Sequence, residues 1–225
     1  MTRRADTGAR ADPTRPASAC PPPRKIPRAL ADPRVRFGVG VAALLVTASA
    51  ARRGRVTPWE AKAFKAINGL PDSLYLPAWV VMQLGALGAV PAAAATAWLA
   101  GDDEVAGRLL VGGTATWGLS KLVKQIVRRP RPVALLQETR HRGREAAGLG
   151  YLSGHGGVAV TLGASALPRL GPAGRALALT AIPLVGLSRV YVGAHLPLDI
   201  AGGAALGLAV DAAVDLVSRP EMHEQ

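Results

Sequence analysis

The chain has 225 residues and a single cysteine, Cys20. One cysteine excludes an intrachain disulfide and any metal site built from several thiolates. Aromatic residues make up only 4% of the chain although 49% of it is hydrophobic, and 15 acidic residues face 27 Lys and Arg, which leaves a net charge of +12. Because aromatic residues do not interleave with the basic ones, the usual pattern of a nucleic-acid-binding surface is missing, and nucleic acid is not an expected partner.

The hydrophobic residues, mainly Ala, Val, Leu and Gly, occur in long runs, several of which can cross an apolar layer of about 30 Å as helices. Gly203 and Gly207 have the spacing that lets such helices pack closely. We therefore predict an all-α fold, a polytopic membrane helical bundle with about six transmembrane helices in one domain over residues 36–217. The six predicted spans are residues 36–51, 74–100, 105–127, 154–170, 174–192 and 195–217.

The two ends of the chain differ from this apolar core. Residues 1–35 are basic and contain seven prolines, so we predict a disordered tail. Residues 218–225 form a short polar C-terminal tail. A basic segment before a first apolar span favours a cytoplasmic N-terminus and contact with the headgroups of membrane lipids.

A short helix is predicted between the first two spans, beginning at Thr57 and Pro58. Thr57 has the position of the helix cap, Pro58 suits the first turn, and Glu60 has the position of the second residue of a capping box. Because its apolar residues share one face, including Phe64, we expect this helix to lie at the membrane interface.

Three polar clusters interrupt the apolar runs. They are Lys124 with Arg131-Pro132, then Ser153-Gly154-His155, and then Ser188-Arg189 with His195 and Asp199. Each cluster lies at an end of a predicted span. Because successive spans alternate in direction, all three clusters fall on the same membrane face. With the N-terminus inside, that face is the outer one.

These residue types are suited to chemistry on a phosphate group. Arg grips phosphoryl oxygens with a planar fork and Lys supplies a mobile charge, which are the roles expected of Lys124, Arg131 and Arg189. Ser153 and Gly154 would bring a hydroxyl and a closely approaching backbone at the start of a helix.

The two histidines complete this inventory. His195 and Asp199 are four residues apart, so the carboxylate can orient the imidazole as a nucleophile. His155 would act as the general acid and then activate water. Since cationic side chains neutralise the phosphoryl charge, the chemistry requires no metal ion or other cofactor.

Each cluster alone has a simpler interpretation. Lys124 and the arginines of residues 128–131 resemble basic residues that flank membrane helices, His155 a polar cap, and His195 with Asp199 a structural helix pair. These interpretations would all have to hold at matched spacings on one face. We therefore favour the single-site interpretation.

The combined pattern resembles the type 2 phosphatidic acid phosphatase superfamily, which includes lipid phosphate phosphatases and vanadium haloperoxidases. Lys124, six residues and Arg131-Pro132 match the first motif. Ser188-Arg189, five residues, His195, three residues and Asp199 match the third. Ser153-Gly154-His155 match the second, which usually begins with proline where this chain has Leu152.

The resemblance covers residues 36–217 and implies a six-helix core. It also implies that His195 forms a phosphohistidine, that Asp199 orients it and that His155 is the general acid. The implied phosphate-binding residues are Lys124, Arg131, Ser153, Gly154 and Arg189.

The expected function is a metal-independent membrane phosphatase acting on a lipid phosphate or diphosphate such as phosphatidic acid or a polyprenyl phosphate. One alternative is a non-hydrolytic phospholipid-binding or flippase-like protein, which would bind or move the lipid without turnover. A second alternative is a haloperoxidase-like enzyme that binds vanadate, which the apolar spans disfavour.

Overall fold

The computed structural model describes residues 32–144 and 148–218. Within these ranges the chain forms nine α-helices and no strand, which confirms the predicted all-α fold. Short 3-10 turns at Asp72–Leu74, Gln83–Gly85 and Leu167–Arg169 join some of them. The helices are α1 Pro33–Arg52, α2 Pro58–Asn68, α3 Tyr75–Met82, α4 Ala89–Leu99, α5 Asp103–Val127, α6 Pro132–Leu135, α7 Gly154–Ala166, α8 Pro172–Tyr191 and α9 Pro197–Ser218.

Every predicted span is helical, but the second is broken. Among the described residues, three helices, α1, α8 and α9, are long and apolar enough to cross a membrane, and α3 with α4 would be a fourth span bent by 66°. These helices indicate a membrane protein. Helix α5 is long enough but carries charges in its first and last turns, and α7 has only 13 residues. The count of six transmembrane helices therefore stays a prediction.

The two predicted tails fall largely outside the described residues. Residues 1–31 and 219–225 are not described, so the predictions of disorder and of a polar tail there stay predictions. Helix α1 already begins at Pro33, where the Asp32 carboxylate accepts a hydrogen bond from the Arg34 amide at 2.8 Å. An Asp cap followed by proline is a strong start signal for a helix.

Helix α2 begins as predicted, but one of its residues does not do what was predicted. The Thr57 hydroxyl accepts a hydrogen bond from the Glu60 amide at 3.4 Å. The Glu60 side chain, however, is buried and does not return to the cap. Phe64 and Asn68 are buried on the same face, so α2 packs against the bundle along its length.

Helices α7 and α9 approach each other at glycines. A Cβ atom on Gly203 would collide with the backbone oxygen of Ser153, and one on Gly207 with that of Gly157. Such close backbone contact requires small residues, as the spacing of Gly203 and Gly207 predicted. As a result, the start of α7 packs against the second and third turns of α9.

A cluster of buried charges joins four helices at the opposite end of the bundle. Arg36 donates to Asp211 at 2.5 Å and to Asp215 at 2.6 Å, and Arg108 donates to Asp215 at 2.7 Å. The Ser165 hydroxyl donates to Asp211 at 2.6 Å. Both carboxylates are inaccessible to water, with exposures of 0% and 1%. Among the described residues these contacts pair two arginines with two aspartates, so the cluster joins the N-terminal parts of α1 and α5 to the C-terminal parts of α7 and α9.

We expect Asp215→Asn to lower stability, because it leaves two partly buried arginines with one carboxylate fewer. Removing one partner of a buried ion pair costs about 3–5 kcal/mol. Thermal unfolding in detergent should show a midpoint several degrees below that of the parent. Asp72→Asn is the matched control: Asp72 pairs with Arg142 but its side chain is 82% exposed, so its loss should change the midpoint little. An Asp215→Asn protein as stable as the parent would contradict a stabilising role of this charge cluster.

Candidate active site

All three sequence motifs lie at one end of the bundle. Lys124 is in the last turn of α5, His155 is in the first turn of α7, and Arg189 is in the last turn of α8. His195 lies just before α9, and Asp199 is in its first turn. The hydrogen bonds described next join these motifs directly.

Lys124 ties the first motif to the second. Its ammonium group donates to the backbone oxygens of Leu149 at 3.2 Å, Gly150 at 3.1 Å and Leu152 at 2.5 Å. An ammonium group has three donors, so all three are used on the segment that leads into Ser153. Leu152, in the place of the usual proline, is fully buried. Lys124 therefore fixes the backbone that presents the second motif.

The third motif is joined to the other two by further hydrogen bonds. The Arg131 guanidinium donates to the backbone oxygen of Ala194 at 2.8 Å and to that of Gly148 at 3.2 Å. The Ser153 amide donates to the backbone oxygen of Asp199 at 2.9 Å. The three motifs therefore form one connected polar network.

The second motif forms the start of α7. Ser153 is fully buried, and its hydroxyl accepts a hydrogen bond from the Gly156 amide at 3.3 Å. That hydroxyl therefore caps the helix, a contact the sequence interpretation did not assign to it. A Cβ atom on Gly154 would lie 3.0 Å from the Ser120 hydroxyl oxygen, which explains the small residue there. The His155 side chain, next in the sequence, is half-buried.

His195 and Asp199 face each other at the start of α9. The Nδ1 atom of His195 lies 3.6 Å from the nearer carboxylate oxygen of Asp199, which is longer than a hydrogen bond. That oxygen accepts from the Leu196 amide at 2.9 Å. Nδ1 of His195 is buried and has no hydrogen-bond partner among the described residues. The carboxylate thus lies next to the imidazole without a hydrogen bond to it.

Burial and the surrounding positive charges both favour the neutral form of the His195 imidazole. Burial is the largest cause that lowers the pKa of His195 well below its ordinary value of 6.5. The positive charges of Lys124, Arg189 and Arg131 lower the pKa further, and His155 contributes in the same direction. Four of the predicted site residues therefore act on one ring. A neutral imidazole retains a lone pair that can attack an electrophile.

Arg189 projects from the end of α8 next to the bend between α3 and α4. Its Nη1 atom lies 3.2 Å from the Met82 sulfur, and its buried Nε atom has no hydrogen-bond partner in the described part of the chain. A Cβ atom on Gly85, three residues after Met82, would collide with the backbone oxygen of His155. The bent segment therefore packs directly against the site.

Sequence reasoning missed two buried charges at the site, Arg129 and Glu60. Arg129 was interpreted with its neighbours as a membrane-flanking residue, but it is only 1% exposed. It binds both carboxylate oxygens of Glu60, at 3.0 and 2.7 Å, and one oxygen of Asp199 at 2.9 Å. The available signal was the four-residue spacing of Glu60, Phe64 and Asn68, which places two polar residues on the apolar face of α2.

No three His, Cys, Asp or Glu side chains come together as a metal-binding group anywhere in residues 32–144 and 148–218. The acidic groups at the site are instead bonded to Arg129 and to backbone amides.

Comparisons with known proteins agree with this arrangement. A decaprenylphosphoryl-5-phosphoribose phosphatase of Mycobacterium tuberculosis is 34% identical over 110 residues, which cover 47% of this chain and 57% of the relative. The chain thus matches little more than half the length of that curated relative.

Two solved structures share the fold. LpxE of Aquifex aeolicus superposes with a TM-score of 0.64 at 20% identity, over 69% of this chain and 94% of that one. A transmembrane PAP2-type phosphatidylglycerolphosphate phosphatase of Bacillus subtilis superposes with a TM-score of 0.60 at 22% identity, over 83% of this chain and 99% of that one.

The family model of the PAP2 superfamily matches residues 106–220. That range is half of the chain and contains all three motifs, from Lys124 to Asp199. The resemblance seen in the sequence is confirmed, and the chain belongs to the PAP2 superfamily.

Proposed function

We propose that this protein is an integral membrane phosphatase that hydrolyses a lipid phosphate or diphosphate through a phosphohistidine on His195, without a metal ion. The observation that carries the proposal is the hydrogen-bonded network that joins the three motifs around this buried, neutral imidazole. Membership of the PAP2 superfamily and the likeness to a polyprenyl-linked phosphatase support it.

In the first step, Lys124, Arg131 and Arg189 attract the phosphoryl oxygens and offset their charge. Nε2 of His195 attacks phosphorus, and the bond from phosphorus to the lipid oxygen breaks. His155 donates a proton to the departing oxygen, so the lipid leaves as an alcohol, or as a monophosphate when the substrate is a diphosphate.

In the second step, water releases the phosphate. His155, now without its proton, accepts one from the water as the water oxygen attacks phosphorus. The phosphorus–nitrogen bond breaks, and His195 regains its lone pair. Asp199 stabilises the positive charge that the His195 ring carries while it is phosphorylated.

An apolar groove next to the site supports a substrate with a long hydrocarbon chain. Its volume is about 730 Å³, and α4, α7 and α8 form its walls. The end of the groove next to the site includes Ala159, one turn after His155, and Val185, one turn before Arg189. From Val185 to Gly174 the groove follows α8 for about 16 Å at 1.5 Å per residue. A lipid chain lying there would place its headgroup at the three motifs.

The substrate class follows from the groove and the site together. A phosphomonoester or diphosphate on a polyprenyl-linked or acyl-linked lipid fits both. The name of the mycobacterial relative favours the polyprenyl-linked group. Phosphatidic acid and polyprenyl diphosphates complete the set of candidate substrates.

The proposal is tested by phosphate release from the detergent-solubilised protein, with EDTA present, across these lipids. The parent should release phosphate from at least one of them, and His195→Ala should lose at least about a thousandfold in rate because the nucleophile is gone. An acid-labile phosphoryl label should form on the parent only. His223→Ala, which removes a histidine beyond the matched range, should keep the parental rate. Lipid binding without phosphate release would instead favour the non-hydrolytic alternative.

The groove is tested with two alanines on α4. Ala92 lines the groove and Ala95 does not, although both are exposed. We expect Ala92→Leu to raise the KM for a long-chain lipid phosphate about tenfold, since overfilling a packed apolar site costs about 1–3 kcal/mol. Ala95→Leu should not change this KM. Neither variant should alter hydrolysis of a small soluble phosphomonoester. Equal KM values for the two variants on the lipid would contradict the assignment.

We further propose that the N-terminus is cytoplasmic and the site faces outward, on the basis of the basic N-terminal segment. Cys20, the only cysteine, reports this directly. A membrane-impermeant maleimide should label Cys20 in permeabilised cells but not in intact ones. Labelling of Cys20 in intact cells would show instead that the N-terminus faces outward.

A further inference from the structure

Glu60 belongs to a row of buried charged side chains that leads to His195. This row consists of Glu60 on α2, Arg129 in the loop after α5, and Asp199 on α9. The side chains of Glu60, Arg129 and Asp199 have exposures of 1%, 0% and 0%. Asp199 is the member of this row next to His195, with one carboxylate oxygen 3.6 Å from Nδ1 of the ring. Glu60 lies 69 residues before Arg129 in the sequence and outside the range matched by the family model.

Arg129 donates more hydrogen bonds to the Glu60 carboxylate than to the Asp199 carboxylate. Nη2 of Arg129 donates to Glu60 at 2.7 Å. Nη1 donates to Glu60 at 3.0 Å and to Asp199 at 2.9 Å. Arg129 therefore reaches Asp199 through one nitrogen and one oxygen only. The other oxygen of Asp199 accepts from the Leu196 amide and faces His195.

The charges are unequal as well. When Glu60 and Asp199 are both ionised, two carboxylates share one guanidinium, so this row of three buried side chains carries a net charge of −1 next to His195. Burial disfavours the charged form of Arg129, but the Glu60 hydrogen bonds and the charges of Asp199 and Glu60 outweigh it and raise the pKa of Arg129. Arg129 thus stays charged. Electrostatic effects are strong where water is excluded, so the excess negative charge acts on the ring.

Glu60 also contacts the helix that carries Asp199. Its Oε1 atom accepts a hydrogen bond from the Leu198 amide at 3.1 Å, in the first turn of α9. Carboxylates are favourable at this position because the free amides at a helix start carry partial positive charge. Glu60 therefore holds both Arg129 and the turn that precedes Asp199.

We propose that Glu60 is a positioning residue for the reaction of His195. It holds Arg129 so that the guanidinium cannot bind Asp199 through both of its terminal nitrogens. One oxygen of Asp199, and one unit of negative charge, thereby remain for the positive charge that forms on His195 when it bonds to phosphorus. The proposal rests on the proposed function in assigning His195 as the nucleophile.

Glu60→Gln is the direct test, because the amide keeps the size of the side chain and an acceptor oxygen but removes the charge. Arg129 is then free to bind Asp199 with both nitrogens and neutralise it. We expect kcat for phosphate release to fall about tenfold to a hundredfold, which is the range for residues that position a reacting side chain through hydrogen bonds. The KM should change by less than about twofold, because Glu60 does not face the phosphate.

Asp215→Asn is the matched control. It also removes a buried carboxylate charge bonded to arginines, but at the other end of the bundle. If loss of stability alone slowed the enzyme, both variants would lose kcat in proportion to their fall in unfolding temperature. We expect Asp215→Asn to keep the parental kcat at temperatures where it stays folded. An equal loss of kcat in both variants would overturn the positioning role.

Orthovanadate binding gives a readout that does not require turnover. Vanadate resembles phosphate and can bond to a histidine nitrogen, so its affinity reports the charge available to stabilise His195. Isothermal titration calorimetry should show about tenfold weaker binding to Glu60→Gln than to the parent, and no change in Asp215→Asn. Parental vanadate affinity in Glu60→Gln overturns the inference. A parent that binds vanadate but releases no phosphate from any lipid instead overturns the proposed function, and the Glu60 comparison still stands.

Discussion

Backbone oxygens in loops that border an apolar bundle need hydrogen-bond donors, because unpaired polar groups are costly away from water. In this protein the donors are side chains of the motifs themselves. Lys124 satisfies three carbonyl groups in the segment before Ser153, and Arg131 satisfies that of Ala194. The same bonds that satisfy the loops also bring the motifs together. Stability at this end of the bundle and assembly of the site therefore depend on the same contacts.

The basic side chains at the two ends of the bundle have different hydrogen-bond partners. At one end, the arginines Arg36 and Arg108 donate to the carboxylates of Asp211 and Asp215. At the other end, Lys124 donates to backbone oxygens and Arg189 contacts a methionine sulfur, both of which are neutral acceptors. These contacts therefore involve no carboxylate, unlike those of Arg36 and Arg108. This contrast supports the proposal that the phosphate group binds at the end that carries the three motifs.

Helix α2 shows how a local pattern and a long-range contact can share one sequence signature. Thr57 and Glu60 have the spacing of a capping box, Pro58 suits the first helical position, and the helix does begin there. The carboxylate of Glu60 nevertheless points into the bundle and binds Arg129. The free energy gained by pairing a buried guanidinium exceeds that of one exposed cap bond, so the tertiary partner prevails. No local pattern identifies that partner, since it is far away in the sequence.

The sequence by itself determined the helical class, the positions of the helices to within a few residues, and the residue types of the site. Hydrophobic runs, caps and motif spacings are local properties, and they survive in any arrangement of the helices. Only the tertiary structure decided that α3 and α4 bend, that Lys124 secures a loop, and that Glu60 and Arg129 lie behind Asp199. These features depend on which helices pack together, and packing joins residues that no sequence interval relates.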